Sequence, residues 1–258
     1  MELRRLPQEP SILSLSPIAI AYCCVVMVLA YAARGSTGFG AAAAMPLLGL
    51  VIPLKVLIPA WTLIGLCAGV TLLGRDRAHI AWREMIALLP GTVVGFGIGL
   101  YVFKTLDAAT LARSFGGAVM LYGLYSLWNT FRAPTTWRAP GRPAAAIAGV
   151  LGGAVGTTFG TMASLFYAIY FDAIRMGKEH FRASMSAALV ALGIVRTLGY
   201  FAIDEFNRDV LTTFALAFPM MLLGIFIGDR VHSGLSDLAF RRVVALALVV
   251  SGGALMVK

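Results

Sequence analysis

Arg34-Gly35-Ser36-Thr37-Gly38-Phe39-Gly40 leads into four alanines and Met45-Pro46-Leu47-Leu48, and 120 positions after Gly38 the chain reads Thr158-Phe159-Gly160, within Gly156-Thr157-Thr158-Phe159-Gly160-Thr161. Each stretch interrupts an apolar run. Freed backbone groups are tolerated at membrane depth only where they line a cavity or are buried in protein, so matched interruptions in two halves point to one central site. The expected fold is all-α: a polytopic transmembrane helical bundle of two homologous halves, residues 18–131 and 144–258. A tail, 1–17, precedes them and a linker loop, 132–143, joins them. Broken or re-entrant helices are expected at the Gly-Phe-Gly and Thr-Phe-Gly positions.

Composition supports a membrane protein. Of 258 residues 59% are hydrophobic and only 13% charged, against roughly 25% charged in soluble domains. The formal charge of +9 is scattered between apolar segments without a basic stripe and interleaved aromatics, which argues against nucleic acid. Cys23, Cys24 and Cys67 lie in apolar runs without metal-ligand spacing and read as small buried hydrophobes. No metal and no cofactor is expected. The N-terminus lacks a clean small-residue cleavage site and does not read as a signal peptide.

A second set of matches supports the repeat. Gly95, Gly99 and Arg113 correspond to Gly224, Gly228 and Arg242 at an offset of 129. The offset therefore grows by nine, and Asp204–Asp209 is a natural place for much of that insertion. The Gly95/Gly99 and Gly224/Gly228 pairs are GxxxG spacings, whose ordinary use is close helix packing.

Lys and Arg concentrate in short cytoplasmic loops. Loops bearing Arg75/Arg77/Arg83, Arg132/Arg138/Arg142, Arg175/Lys178/Arg182 and Arg230/Arg241/Arg242 read as inside, and Asp204–Asp209 as outside. Five elements per half close this pattern as an inverted repeat. Arg4 and Arg5 then fall outside, against the rule, so a parallel arrangement of four spans per half stays open. Trp82, Trp128 and Trp137 sit at segment ends, as interfacial anchors do. Trp61 fits either an interface or a cavity wall.

Ser36, Thr37, Gly38, Phe39 and Gly40, with Thr157, Thr158, Phe159 and Gly160, are the candidate substrate-binding residues. A short helix starting near Gly38, capped by Ser36 or Thr37, would aim its positive end at an anion, and Thr157 and Thr158 repeat that chemistry in the second half; tight packing of small residues is the competing explanation. Arg196 lies well inside an apolar span, where a charge is costly. It fits an oxyanion ligand, since a guanidinium offers a planar fork of donors, or else snorkelling or pairing with a buried carbonyl. Arg34 carries the same ambiguity. His180, beside Arg182, is a weaker cavity candidate. The acidic residues lie in loops or at segment ends, so no buried proton relay is indicated. Protease, serine-hydrolase and P-loop signatures do not occur, and no enzyme activity is expected.

Gly38-Phe39-Gly40 with its alanines and Met45-Pro46-Leu47-Leu48, the Arg75–Glu84 loop, the Gly95/Gly99 helix and Phe159-Gly160 together resemble the TauE/SafE sulfite exporter family, from about residue 18 onward. Alanines at 41–44 replace the family's richer glycine run, and the second break lacks a matching proline. The resemblance implies an inner-membrane, multi-pass transporter exporting sulfite, sulfoacetate or other organosulfonates, or related organic anions. The partners it implies are a small anionic substrate and the lipid bilayer, with a homo-oligomer permitted. A transporter of another small organic anion, or a non-transporting scaffold or subunit, is the alternative.

Overall fold

The computed structural model describes residues 15–37, 43–129, 141–230 and 237–258, and all regular structure among them is helical. Gly38-Phe39-Gly40 and Trp137 lie outside these residues. The first five elements are α1 (Pro17–Thr37), α2 (Ala44–Gly49), α3 (Leu54–Asp76), α4 (Trp82–Thr105) and α5 (Ala108–Asn129). The next five are α6 (Gly141–Phe159), α7 (Ala163–Ala173), α8 (Lys178–Ala202), α9 (Arg208–Arg230) and α10 (Asp237–Val257). Helices α3, α4, α8 and α9 carry apolar stretches long enough to cross a membrane.

Local chemistry explains where helices start. The Asp107 carboxylate accepts from the Thr110 N–H at 3.0 Å, and the Asn207 side chain accepts from the Val210 N–H at 3.0 Å. These N-caps open α5 and α9. Pro59, Pro90 and Pro219 lie inside helices, as membrane helices tolerate when neighbours re-satisfy the backbone. Large apolar side chains such as Ile86, Leu124 and Leu198 face outward, the surface that lipid rather than water accepts. Trp82 and Trp128 are exposed, as interfacial anchors would be.

Glycines let pairs of helices approach at backbone distance. A Cβ built on Gly95 would lie 2.2 Å from the Val150 carbonyl oxygen, and one on Gly99 2.5 Å from that of Ala154. On α9, Gly224 meets the Val28 carbonyl at 2.7 Å and Gly228 that of Ala32 at 2.2 Å. Thus α4 packs parallel to α6, and α9 parallel to α1. A Cβ on Gly116 would lie 2.6 Å from the Gly252 carbonyl and one on Gly123 3.1 Å from that of Ala245, so α5 and α10 run antiparallel.

These contacts correspond when the halves are exchanged. Adding 129 to Gly116 and Gly123 gives Ala245 and Gly252, the partners in the same contact. In the α3/α8 pair, Gly69 faces Val190 and Gly193 faces Leu66; here the shift is 124. Val150 and Ala154 follow Val28 and Ala32 by 122. The shift thus grows by five between the α3/α8 and α4/α9 contacts, the interval that contains Asp204–Asp209.

Polar contacts mark the two ends of the bundle. At one, Lys55 donates to the Phe103 carbonyl, and Lys258 Nζ donates to the Gly49 and Leu50 carbonyls at 3.1 and 3.0 Å. Glu205 belongs here: burial pushes its carboxyl up, opposed by Lys55 and Lys104. At the other end, His79 pairs with Glu179 at 3.3 Å and the Ala81 N–H donates to Ser184 Oγ at 2.9 Å. Helices α1 and α9 begin at the acidic-loop end, and α4 and α6 begin at the opposite one.

The close α4/α6 contact makes a direct prediction. Gly95→Leu must push backbones apart, a cost of about 2 to 3 kcal/mol by the usual penalty for overpacking. Gly97, two residues on, faces open space, so Gly97→Leu should leave thermal stability in detergent unchanged while Gly95→Leu lowers the melting temperature.

Candidate functional site

The second interruption is a three-residue link between α6 and α7. Gly160 has φ +75° and Met162 φ +70°. Only glycine occupies that region without strain, and a non-glycine residue held there costs about 1 to 3 kcal/mol. A Cβ on Gly160 would come within 2.8 Å of Met45 Cε and 3.3 Å of Ile58 Cγ2, so the link is pressed against α2 and α3.

Arg196 reaches this link from α8. It is only 7% exposed, six residues before the helix end, or about 9 Å at the helical rise. One terminal nitrogen donates to the Gly160 carbonyl at 3.3 Å and the other to Thr62 Oγ1 at 2.6 Å. The Thr62 hydroxyl in turn donates a hydrogen bond to the Ile58 carbonyl at 3.0 Å. The guanidinium carbon lies 5.8 Å from the Tyr200 ring centre, and the Tyr200 hydroxyl donates to the Thr157 carbonyl. Thr158 donates to the Gly99 carbonyl at 3.2 Å. Arg196 Nε and Thr157 Oγ1 are buried without a hydrogen-bond partner among the described residues. Arg196 therefore pairs with a buried carbonyl instead of snorkelling to the interface.

The structure brings Thr157, Thr158, Phe159, Gly160 and Arg196 together. Phe159 packs on Phe115 with ring centres 5.5 Å apart. For the first break, α1 continues through Arg34, Ser36 and Thr37, whose side chains are outside the described residues. Two expectations are corrected here. Ser36 and Thr37 belong to the last turn of α1, and α2 begins at Ala44 with Ala43 as its N-cap and no side-chain cap bond. Thr157 and Thr158 likewise end α6, so their stretch presents C-terminal carbonyls, which attract a cation such as Arg196. The helix start beside them is that of α7, at Ala163.

Several neighbours escaped the sequence reading. Thr62, Met45, Tyr200 and Tyr167 touch or flank the site; Tyr200 was legible, standing one turn beyond Arg196. Tyr167 is buried, with its hydroxyl 3.3 Å from Thr92 Oγ1. Tyr170 donates to Glu84 at 2.5 Å. Trp61 lines a cavity, while His180 is exposed beside the His79 ring and is no cavity residue.

The chain matches the family described as sulfite exporter TauE/SafE over residues 23–255. It belongs to that family. This TauE/SafE member is a multi-pass transporter of the inner membrane and not an enzyme. It is 28% identical over 212 residues to a probable inner membrane transporter protein, TsaS, of Comamonas testosteroni, covering 79% of this chain and 80% of that one. It is 27% identical over 212 residues, 81% of each chain, to a probable sulfite/organosulfonate exporter, TauE, of Cupriavidus necator. No solved structure matches it significantly.

Proposed function

We propose that this TauE/SafE protein exports a small sulfur oxyanion, sulfite or an organosulfonate such as sulfoacetate, and binds it at the link between α6 and α7. Arg196 carries the reading. It is a buried cation at the link, with its Nε unpartnered and no carboxylate paired to it among the described residues. A buried charge without a counter-ion is costly, and an incoming oxyanion would relieve that cost while matching the guanidinium fork. Ser36, Thr37, Gly38, Phe39 and Gly40, with Arg34, are the proposed contribution of the first half. Thr157, Thr158, Phe159 and Gly160 are that of the second.

The halves 18–131 and 144–258 are proposed as inverted repeats. Supporting this, α1 starts at the acidic-loop end and α6 at the opposite end, and the helix contacts correspond on exchange. The Lys/Arg bias puts the acidic loop outside. Outward movement of one negative charge then gains roughly 2.3 kcal/mol per 100 mV of inside-negative potential, which drives export without a buried proton relay.

A guanidinium fork accepts carboxylates as readily as sulfonates, so another small organic anion is the second reading. Counterflow in proteoliposomes loaded with sulfite, sulfoacetate, taurine or a simple carboxylate separates the two. Saturable exchange of the sulfur anions at low concentration is expected. Exchange of carboxylates alone would shift the substrate class, and saturable movement of nothing would favour a scaffold.

A further inference from the structure

The six-residue helix α2 has different surroundings on its two sides. Toward the site, Met45 presses on Gly160, within 2.8 Å of where a Cβ would stand. On the other side, Leu48 and the following Ile52 line a partly open cavity between α1, α2, α3 and α9, with Cys23, Cys24, Trp61 and Met220 among its walls. The wall is apolar, and an apolar space of this kind does not hold ordered water. Side chains can enter it without displacing bound solvent. Among the described residues, the side chains that donate to α2 and its C-cap are Tyr22, to the Leu47 carbonyl at 3.2 Å, and Lys258, to the Gly49 and Leu50 carbonyls.

The corresponding region at the opposite end, between α4, α6, α7 and α8, holds a packed apolar cluster. Leu88, Ala145, Tyr170, Met185 and Ala188 pack into one cluster there. Tyr170 ties α7 to Glu84, and Tyr167 ties it to Thr92. The sequences differ in the same sense: Gly91 and Gly149 bring α4 and α6 to backbone contact, whereas Met27 and Met220 stand in the cavity between α1 and α9. Methionine is the side chain best able to repack around a moving neighbour.

We propose that α2 is a gate on the acidic-loop side. By withdrawing into the apolar cavity it lifts Met45 off Gly160 and uncovers Arg196 to that side, while α7 stays latched by Tyr167 and Tyr170. The gate rests on the transport reading for its purpose but not for its geometry.

Met45 is fully buried, so its exposure reports the motion. Met45→Cys in a Cys23→Ala/Cys24→Ala/Cys67→Ala background would be treated with a membrane-impermeant maleimide from each side of the membrane, with Asn207→Cys marking the acidic-loop side. Slow labelling from that side alone is expected. Adding Ala217→Phe, which fills the cavity, should slow it at least tenfold. Labelling from the opposite side only, from neither side, or at a rate indifferent to Ala217→Phe would overturn the gate.

A second route avoids reliance on the folding of Ala217→Phe. The native chain is treated with N-benzylmaleimide until mass spectrometry shows Cys23 and Cys24 alkylated, the sulfur bonding to one alkene carbon and the thiol proton passing to the other. The benzyl group then occupies the cavity. Transport should fall at least tenfold, and the Cys23→Ala/Cys24→Ala variant should resist. Unchanged transport by the alkylated protein, or equal inhibition of the variant, would count against the gate. If the unmodified protein moves no anion at all, the transport reading fails, and the Met45→Cys labelling still decides the gate.

Discussion

Gly160→Leu should insert into the membrane normally yet transport at less than about a hundredth of the native rate. Two costs fall on one position. The backbone there has φ +75°, which charges a side chain roughly 1 to 2 kcal/mol. The first side-chain carbon would also lie 2.8 Å from the mobile end of Met45 and 3.3 Å from Ile58, and the three further carbons of leucine bring an overpacking worth about 1 to 3 kcal/mol. At 1.4 kcal/mol per tenfold these together approach a thousandfold. The remainder of the leucine would stand where Arg196 meets the link. Gly99→Leu is the informative contrast, since its new carbon strikes the Ala154 backbone at 2.5 Å and should chiefly lower stability through the α4/α6 contact. Counterflow rate per correctly inserted molecule, measured beside the melting temperature, separates the two. Native flux through Gly160→Leu would remove the link from the site. The same loss is expected of Gly40→Leu if the first break is its partner.

The sequence reading reached the helical membrane class and the close glycine contacts because each rests on a local rule. Apolar length sets span candidates, and GxxxG spacing sets backbone approach. Which helices the glycines join was not legible: Gly95 spaced four from Gly99 announces a flat face, but nothing in α4 names α6 as its partner. Helix polarity at the breaks was misjudged for a related reason. Ser36, Thr37, Thr157 and Thr158 are good capping residues, and capping rules alone place them at helix starts. Membrane helices also accept threonine in a last turn when its hydroxyl finds a carbonyl, as Thr158 finds Gly99. Thr62 and Met45 could not be singled out, because each is ordinary in an apolar run and matters only through what folds against it.

Arg196→Lys is expected to weaken apparent substrate affinity about tenfold, and Arg196→Ala nearer a hundredfold. A charge-assisted hydrogen bond contributes about 1.5 to 3 kcal/mol, and a lysine keeps the charge but loses the fork. The native guanidinium already holds Thr62 and the Gly160 carbonyl, so Arg196 also ties α8 to α3 and to the α6–α7 link. A purely structural Arg196 would explain reduced transport equally well, and Thr62→Val distinguishes the two. Removing the hydroxyl frees one guanidinium nitrogen beside the unspent Nε. In the structural case Thr62→Val behaves like a mild Arg196→Lys, with lower stability and fewer active molecules at unchanged affinity. In the binding case the substrate no longer competes with Thr62 for that nitrogen, and affinity in Thr62→Val tightens even as stability falls. Competition curves in counterflow, with melting temperatures measured on the same preparations, read both quantities. Native affinity in Arg196→Lys together with weakened affinity in Thr62→Val would take the substrate away from Arg196.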